Sequence, residues 1–156
     1  VCYLRRMQLV WTFRSFEAFR PAELHAVLRL RQEVFIIEQQ CIYLDADAKD
    51  LQSHHLFALD QTGRCQACLR IPAPGVSYDE PSIGRVATHP DVRRLGLGRE
   101  LMQRGISAVR ELYGHSPIRI SAQCYLQVFY ESFGFLALGH EYPEDGIPHI
   151  EMLYTP

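Results

Sequence analysis

Long apolar runs are missing from this chain: nothing in its 156 residues approaches the roughly 18 consecutive apolar residues a membrane span requires. The N-terminal stretch also lacks the apolar core of a secretory signal, so a cytoplasmic protein with no membrane partner is expected. Cysteine is sparse and odd in number. Cys2, Cys41, Cys65, Cys68 and Cys124 are scattered, as expected where thiols stay reduced. Cys65 and Cys68 have C-x-x-C spacing, but residues three apart on a strand face opposite sides, so two packing cysteines are expected rather than a metal site or redox pair. No metal is expected elsewhere. A large charge imbalance is absent too: the net charge of -2 gives no global case for a nucleic-acid partner. Repeats, low-complexity tracts and linkers are also lacking. A single domain over residues 1–156 is expected, large enough to bury roughly two-thirds of its unfolded surface without disulfide or metal staples. The chain opens on Val1, and Met7 is a candidate start, so residues 1–6 are expected to be disordered or non-native.

What is present centres on Ile83 to Tyr113. A short apolar run, Ile83 to Thr88, is followed by His89-Pro90, then Arg93-Arg94-Leu95-Gly96-Leu97-Gly98, then a long amphipathic segment. Leu97, Leu101, Ala108, Val109 and Leu112 recur at a period near 3.6, with Arg99, Glu100, Gln103, Arg104 and Arg110 between them, the pattern of a surface helix with one buried stripe. The glycines therefore sit at a helix N-terminus, where unpaired N–H groups and the macrodipole favour an anion, above all a phosphate. Two commoner phosphate motifs are excluded. A nucleotide-triphosphatase P-loop needs Lys and Ser or Thr after the glycine, where this chain has Arg99 and Glu100. The dinucleotide fingerprint needs a third glycine where Leu101 stands. Arg85, Arg93, Arg94, Arg99 and Arg104 gather around the loop and suit one polyphosphate ligand.

The rest of the chain reads as a series of short elements. Gln8 to Phe13 alternates as a first strand, and Ala22 to Gln39 follows Pro21 as a helix. Arg31 and Glu38 fall on the inward side of that helix, which indicates either a cleft beneath it or a buried ion pair or snorkelling side chains. Cys41 to Ser53 is an acidic loop whose Asp45, Asp47 and Asp50, together with Glu38, hint at a cationic acceptor. His54–Asp60 and Arg64–Ile71 form a hairpin, and Pro117–Gln123 is a strand after the long helix, making a right-handed parallel strand-helix-strand unit. Tyr125–Phe133 is a short aromatic helix. Leu136–Tyr142 and Ile150–Tyr154 close the chain as a hairpin over Pro143 to Pro148.

Arg-x-x-Gly-x-Gly directly after a strand and proline turn resembles the acyl-CoA pyrophosphate loop of the GNAT superfamily of N-acetyltransferases. Phe129-Tyr130-Glu131-Ser132-Phe133-Gly134-Phe135 matches the second half of that signature in the right order. Leu30 to Phe35 with Glu38-Gln39, Ile83-Gly84-Arg85-Val86 and Glu144 to Ile150 resemble its ElaA-type branch. One departure is Arg94, where many members have glycine; its side chain must point away from the pyrophosphate or reach the CoA 3'-phosphate.

The resemblance implies an α/β (α+β) GNAT-like fold: a mixed, mostly antiparallel central sheet with helices on both faces and the parallel unit at the cofactor site. It also implies acetyl-CoA as cosubstrate and an amine acceptor as the other partner. The loop Arg93, Arg94, Leu95, Gly96, Leu97, Gly98 and Arg99 would hold the pyrophosphate, Val86, Ala87 and Thr88 would pair with the pantetheine arm, and Gln123 and Phe129 would complete the cofactor site. A backbone N–H near Val86 would polarise the thioester carbonyl, and Tyr130 would protonate the leaving thiolate. Candidates for the base or acceptor contacts are Glu38, His55, His89 and His149. The different-class alternative is a non-catalytic acyl-CoA-binding sensor or interaction module. The exposed edges of such a sheet are compatible with a homodimer.

Because a ligand bound only by the folded state raises its stability, acetyl-CoA and CoA are expected to raise the unfolding temperature while ATP and NAD do not. No shift with either CoA species at millimolar concentration would leave only a helix start with two permissive glycines.

Overall fold

The computed structural model describes residues 8–156, so the expectation for residues 1–6 lies outside the described part. β1 (Val10–Ser15), β2 (Ser53–Leu59), β3 (Cys65–Pro72) and β4 (Gly84–Thr88) form an antiparallel sheet in that order. β5 (Ile118–Gln123), β6 (Phe135–Glu144) and β7 (Ile147–Tyr154) form a second antiparallel sheet in the order β5-β7-β6. The two meet at one parallel bridge, Ser82 with Arg119. This is the expected α/β (α+β) architecture, with its parallel character confined to that contact.

Helix α1 (Pro21–Arg31) begins on Pro21, whose missing N–H has no role in a first turn, and Glu23 accepts from the Arg20 N–H at 3.0 Å. The expected single helix changes geometry after Arg31: Gln32–Glu38 is π-helical, and the Gln39 N–H reaches back to Val34 O at 3.0 Å. Helix α2 (Leu97–Tyr113) packs on the opposite face of the sheet and α3 (Gln127–Glu131) follows β5. The α2 side of the core holds Leu69, Ile71, Leu97, Leu101, Met102, Val109, Ile118 and Ile120. At Gly105 a Cβ would lie 2.7 Å from Leu69 Cδ2, so glycine is what lets α2 settle this close to β3. The α1 side holds Val27, Leu30, Phe57, Cys65, Cys68 and Ala87.

Cys65 and Cys68 therefore share a face, contrary to expectation. The register slips between Ala58 and Leu59, and Gln66 becomes an extra residue that turns Cys65 to the Cys68 side. Its hydrogen bond with Cys68 and its burial push the Cys65 thiol up, which makes it unreactive packing. A second difference is the last hairpin. The expected loop Pro143–Pro148 shrinks to Asp145-Gly146, both left-handed at φ 49° and 80°, and the two prolines are cross-strand partners.

Of the two inward charges on the first helix, Arg31 is structural. It is 1% exposed and bonded to Asp45 Oδ2 at 2.8 Å, Asp45 O at 2.6 Å, and Asp50 at 2.8 and 3.1 Å. Arg70 bonds Asp47 at 2.6 and 3.0 Å and Asp50 at 2.9 Å, and Arg85 Nε lies 2.8 Å from Asp45. The acidic loop is thus stapled to α1 by Arg31 and to the sheet by Arg70 and Arg85. Its aspartates are not turned to a cationic acceptor.

Removing one member of such a cluster strands the others, so Arg31→Met is expected to cost about 3–5 kcal/mol in urea unfolding. Burial pushes the Asp50 carboxyl up, but its bonds to Arg31 and Arg70 more than offset this and hold it below the ordinary range. Its stabilisation is then full at neutral pH and is lost as pH falls below the ordinary aspartate value of about 4. An unfolding temperature constant from about pH 7 to pH 3 would show that the cluster contributes nothing.

Candidate active site

Beyond the Ser82–Arg119 bridge, where Arg119 N–H donates to Pro81 O at 3.1 Å, β4 and β5 make no further pair and diverge. A cavity of about 860 Å³ opens between them. Such a crevice at the carboxyl ends of parallel strands is where open α/β sheets take ligands. Its volume is that of a small-molecule ligand site.

At one end lies the turn into α2. Arg94 and Gly96 are left-handed, at φ 62° and 91°, so successive amides curl toward one side before the helix starts at Leu97. Position 94 needs the conformation that glycine adopts most cheaply, and this chain holds an arginine in it. The Arg99 and Glu100 N–H groups donate to Gly96 O, both at 3.1 Å, which leaves Leu97 and Gly98 with the unpaired N–H groups of the helix start. Arg99 is drawn back over the Phe133 ring, 4.8 Å to its centroid, and donates to Ser132 Oγ at 2.9 Å.

β4 supplies one long wall. The His89 N–H donates to Gln66 O at 2.9 Å, and antiparallel alternation then points the backbone groups of Ala87 toward β3 and those of Val86 and Thr88 toward the free edge. Arg93 already donates to Thr88 O there, at 3.3 Å. The strand carries a bulge, since Cys68 pairs with Ala87 while Arg70 pairs with Gly84, leaving Arg85 and Val86 opposite Leu69 alone. Arg85 takes φ 51° in this bulge, a conformation costing an L-residue about 1–2 kcal/mol.

α3 closes the other wall with Leu126, Phe129 and Tyr130. Tyr130 is 7% exposed, and burial, with a smaller contribution from Tyr125, pushes its hydroxyl up, so it stays protonated. From the last hairpin His149 lines the cavity, and its Nδ1 lies 2.8 Å from Ile147 O. A carbonyl only accepts, so Nδ1 carries a proton, and in the neutral ring the lone pair is then on Nε2.

The sequence candidates divide on this geometry. Val86, Ala87, Thr88, Arg93, Arg94, Gly96, Gly98, Arg99, Gln123, Phe129, Tyr130, Glu38 and His149 all border the cavity. Leu95 and Leu97 do not; Leu97 is 1% exposed in the core under α2, and Leu95 packs against that core. His55 is also misplaced as a base: it is sealed behind β2 against Phe19, contacts Asp50 O through Nε2 at 3.1 Å, and is kept neutral by burial. His89 serves as a turn cap, its Nδ1 accepting from Asp91 N–H at 3.2 Å. Glu38 forms a two-point pair with Arg93, at 2.7 and 3.0 Å.

Several lining residues escaped sequence reasoning. Gln39 exchanges amide hydrogen bonds with Gln123 at 3.2 and 3.0 Å, so consecutive residues Glu38 and Gln39 hold the two walls of the cleft. Ser121 bonds Tyr142 and donates to Glu144 at 2.8 Å. The alternation of β5, with Ile118, Ile120 and Ala122 buried, does place Ser121 on the opposite face. Nothing local reveals its partners. Among the described residues no cluster of His, Cys, Asp or Glu has the makings of a metal site, and no helix is long and apolar enough to cross a membrane.

A family model described as "Acetyltransferase (GNAT) domain" matches residues 31–156. The chain is 40% identical over 148 residues to UPF0039 protein sll0451 of Synechocystis sp., covering 95% of this chain and 96% of that protein. It is 36% identical over 143 residues to ElaA of Escherichia coli, covering 91% and 94%. The crystal structure of E. coli ElaA superposes with a TM-score of 0.87 over 94% of this chain and 99% of that one, at 32% identity. That of an acyl-CoA N-acyltransferase from Pseudomonas aeruginosa gives 0.89 over 95% and 100%, at 39% identity. With a left-handed turn at a helix start, a bulged free strand edge and a buried tyrosine around one cleft, and these relatives along nearly its whole length, the chain belongs to the GNAT acyltransferase family.

Proposed function

We propose that the protein is an N-acetyltransferase that moves the acetyl group of acetyl-CoA directly to a primary amine. The observation that carries this is the meeting of three elements in one cavity: the phosphate turn, the unpaired edge of β4 and the protonated Tyr130. Acetyl-CoA supplies an activated thioester carbonyl. The amides of the turn through Gly98 hold its pyrophosphate, and Arg94, on the border of the cavity, reaches its 3'-phosphate. The outward groups of Val86 and Thr88 pair with the pantetheine amides as an added strand would, once Arg93 yields Thr88 O. The Val86 N–H meets the oxygen on which charge develops.

Two proton transfers remain. Tyr130 gives its proton to the departing thiolate. Against ordinary values of about 10 and 8.5 this runs uphill by about 2 kcal/mol. Burial raises both anions' proton affinities together, so the gap does not widen as Tyr130 alone would suggest. His149, with its Nε2 lone pair set by the bond to Ile147 O, takes the proton from the amine. Direct attack needs no nucleophilic side chain. A cytoplasmic setting is part of the same proposal, fitting the free thiols Cys41, Cys65, Cys68 and Cys124.

Tyr130→Phe is expected to lower kcat about 10²-fold or more while leaving CoA affinity unchanged by calorimetry. Because burial raises Tyr130, its acid form persists, and the wild-type rate should not fall up to about pH 10, the ordinary tyrosine value. Unchanged turnover in Tyr130→Phe would remove Tyr130 from the mechanism. His149→Gln should lose more rate with a lysine-like amine, about 4–5 kcal/mol from deprotonation at neutral pH, than with an α-amine, about 1 kcal/mol away. CoA binding without turnover in a broad amine screen would favour the sensor alternative.

A further inference from the structure

Arg85 belongs to the Ile83-Gly84-Arg85-Val86 stretch, borders the cavity and has no part in the steps above. It occupies the first position of the β4 bulge. With a left-handed residue there, that position ordinarily calls for glycine. Gly84 lies one residue too early to fill it. The peptide joining Arg85 to Val86 carries the Val86 N–H, and the dihedrals of Arg85 set the plane of that peptide. Relaxing Arg85 to an extended conformation would rotate the N–H away from its present direction.

What opposes that relaxation is the grip on the side chain. Arg85 Nε lies 2.8 Å from Asp45 Oδ1, and Nη2 reaches Asp45 O at 3.3 Å and Asp47 Oδ2 at 3.4 Å. The guanidinium also stacks over the Tyr43 ring, 5.0 Å to its centroid, and the Tyr43 hydroxyl donates to Asp45 at 3.1 Å. Asp45 and Asp47 are themselves held by Arg31 and Arg70. We propose that Arg85 is a positioning residue for acyl transfer. The acidic loop, through Asp45, Asp47 and Tyr43, holds its backbone left-handed and so aims the Val86 N–H at the thioester oxygen. This rests on the acyl-transfer function proposed above.

The test compares Arg85→Ala with Arg85→Gly. Both lose the clamp, but only alanine resists the left-handed conformation. Steady-state kinetics would be joined by the infrared carbonyl band of a ¹³C-labelled ketone analogue of acetyl-CoA, in which CH2 replaces the sulfur and no transfer occurs. In the wild type the band should move to lower frequency on binding. Arg85→Ala should lose that displacement, with kcat about 5- to 30-fold below Arg85→Gly, the factor matching the left-handed penalty, and with KM for acetyl-CoA within about twofold.

Equal kcat in the two variants, or a raised KM as the main effect, would overturn the proposal, because the side chain would then act by direct contact. Wild-type kcat and band position in both would also overturn it. Tyr43→Leu loosens the clamp while Arg85 stays, and serves if Arg85→Ala does not fold: reduced kcat and a smaller band displacement support the proposal, and wild-type values overturn it. If the wild type shows no displacement, the oxyanion role of Val86 fails, whatever the variants do.

Discussion

Everything functional here depends on one interruption of hydrogen bonding. β4 and β5 touch through a single parallel bridge at Ser82 and Arg119 and then part. Backbone N–H and C=O groups in the interior of a domain must find partners, and a strand edge facing a cleft has none of its own. The cleft is therefore both a cavity and an array of unmet hydrogen bonds. One of them is met within the chain, where Arg93 bonds Thr88 O, and the walls are tied across by Glu38–Arg93 and Gln39–Gln123.

The charge distribution follows from that division. Arg93, Arg94 and Arg99 cluster at the turn into α2. Arg31, Arg70 and Arg85 are instead held by the acidic loop, where Asp45, Asp47 and Asp50 neutralise them. Buried pairs of this kind are poor sources of net stability but strong constraints on geometry, because breaking one leaves a desolvated charge. Here the constraint reaches a strained strand residue, Arg85, on the border of the cleft. That links a loop with no catalytic group of its own to the cleft.

Periodicity and turn chemistry determined much of the fold from sequence. The amphipathic stripe of α2, the strand at Ile118 to Gln123 and the first hairpin lie within a residue or two of their expected places, because each is set by contacts along its own segment. The failures share a cause. Cys65 shares a face with Cys68 because of a one-residue slip against β2, and the final loop is shorter than expected because Pro143 and Pro148 pair across β6 and β7. Both depend on a partner strand, whose register no single segment encodes.

The same boundary separates the site residues. The chain alone determined that Gly96 and Gly98 stand at a helix start, which is a local feature, and that Tyr130 follows β5 within a few residues. Only the tertiary structure decided that His149, rather than His55 or His89, borders the cleft, and that Arg31 is buried while Glu38 is not. The physical reason is reach: Arg31 meets Asp45 14 residues on, Glu38 meets Arg93 55 residues on, and Gln39 meets Gln123 84 residues on. A side chain's role at such separations is fixed by which elements pack together, and by the desolvation that packing imposes, rather than by its neighbours in sequence.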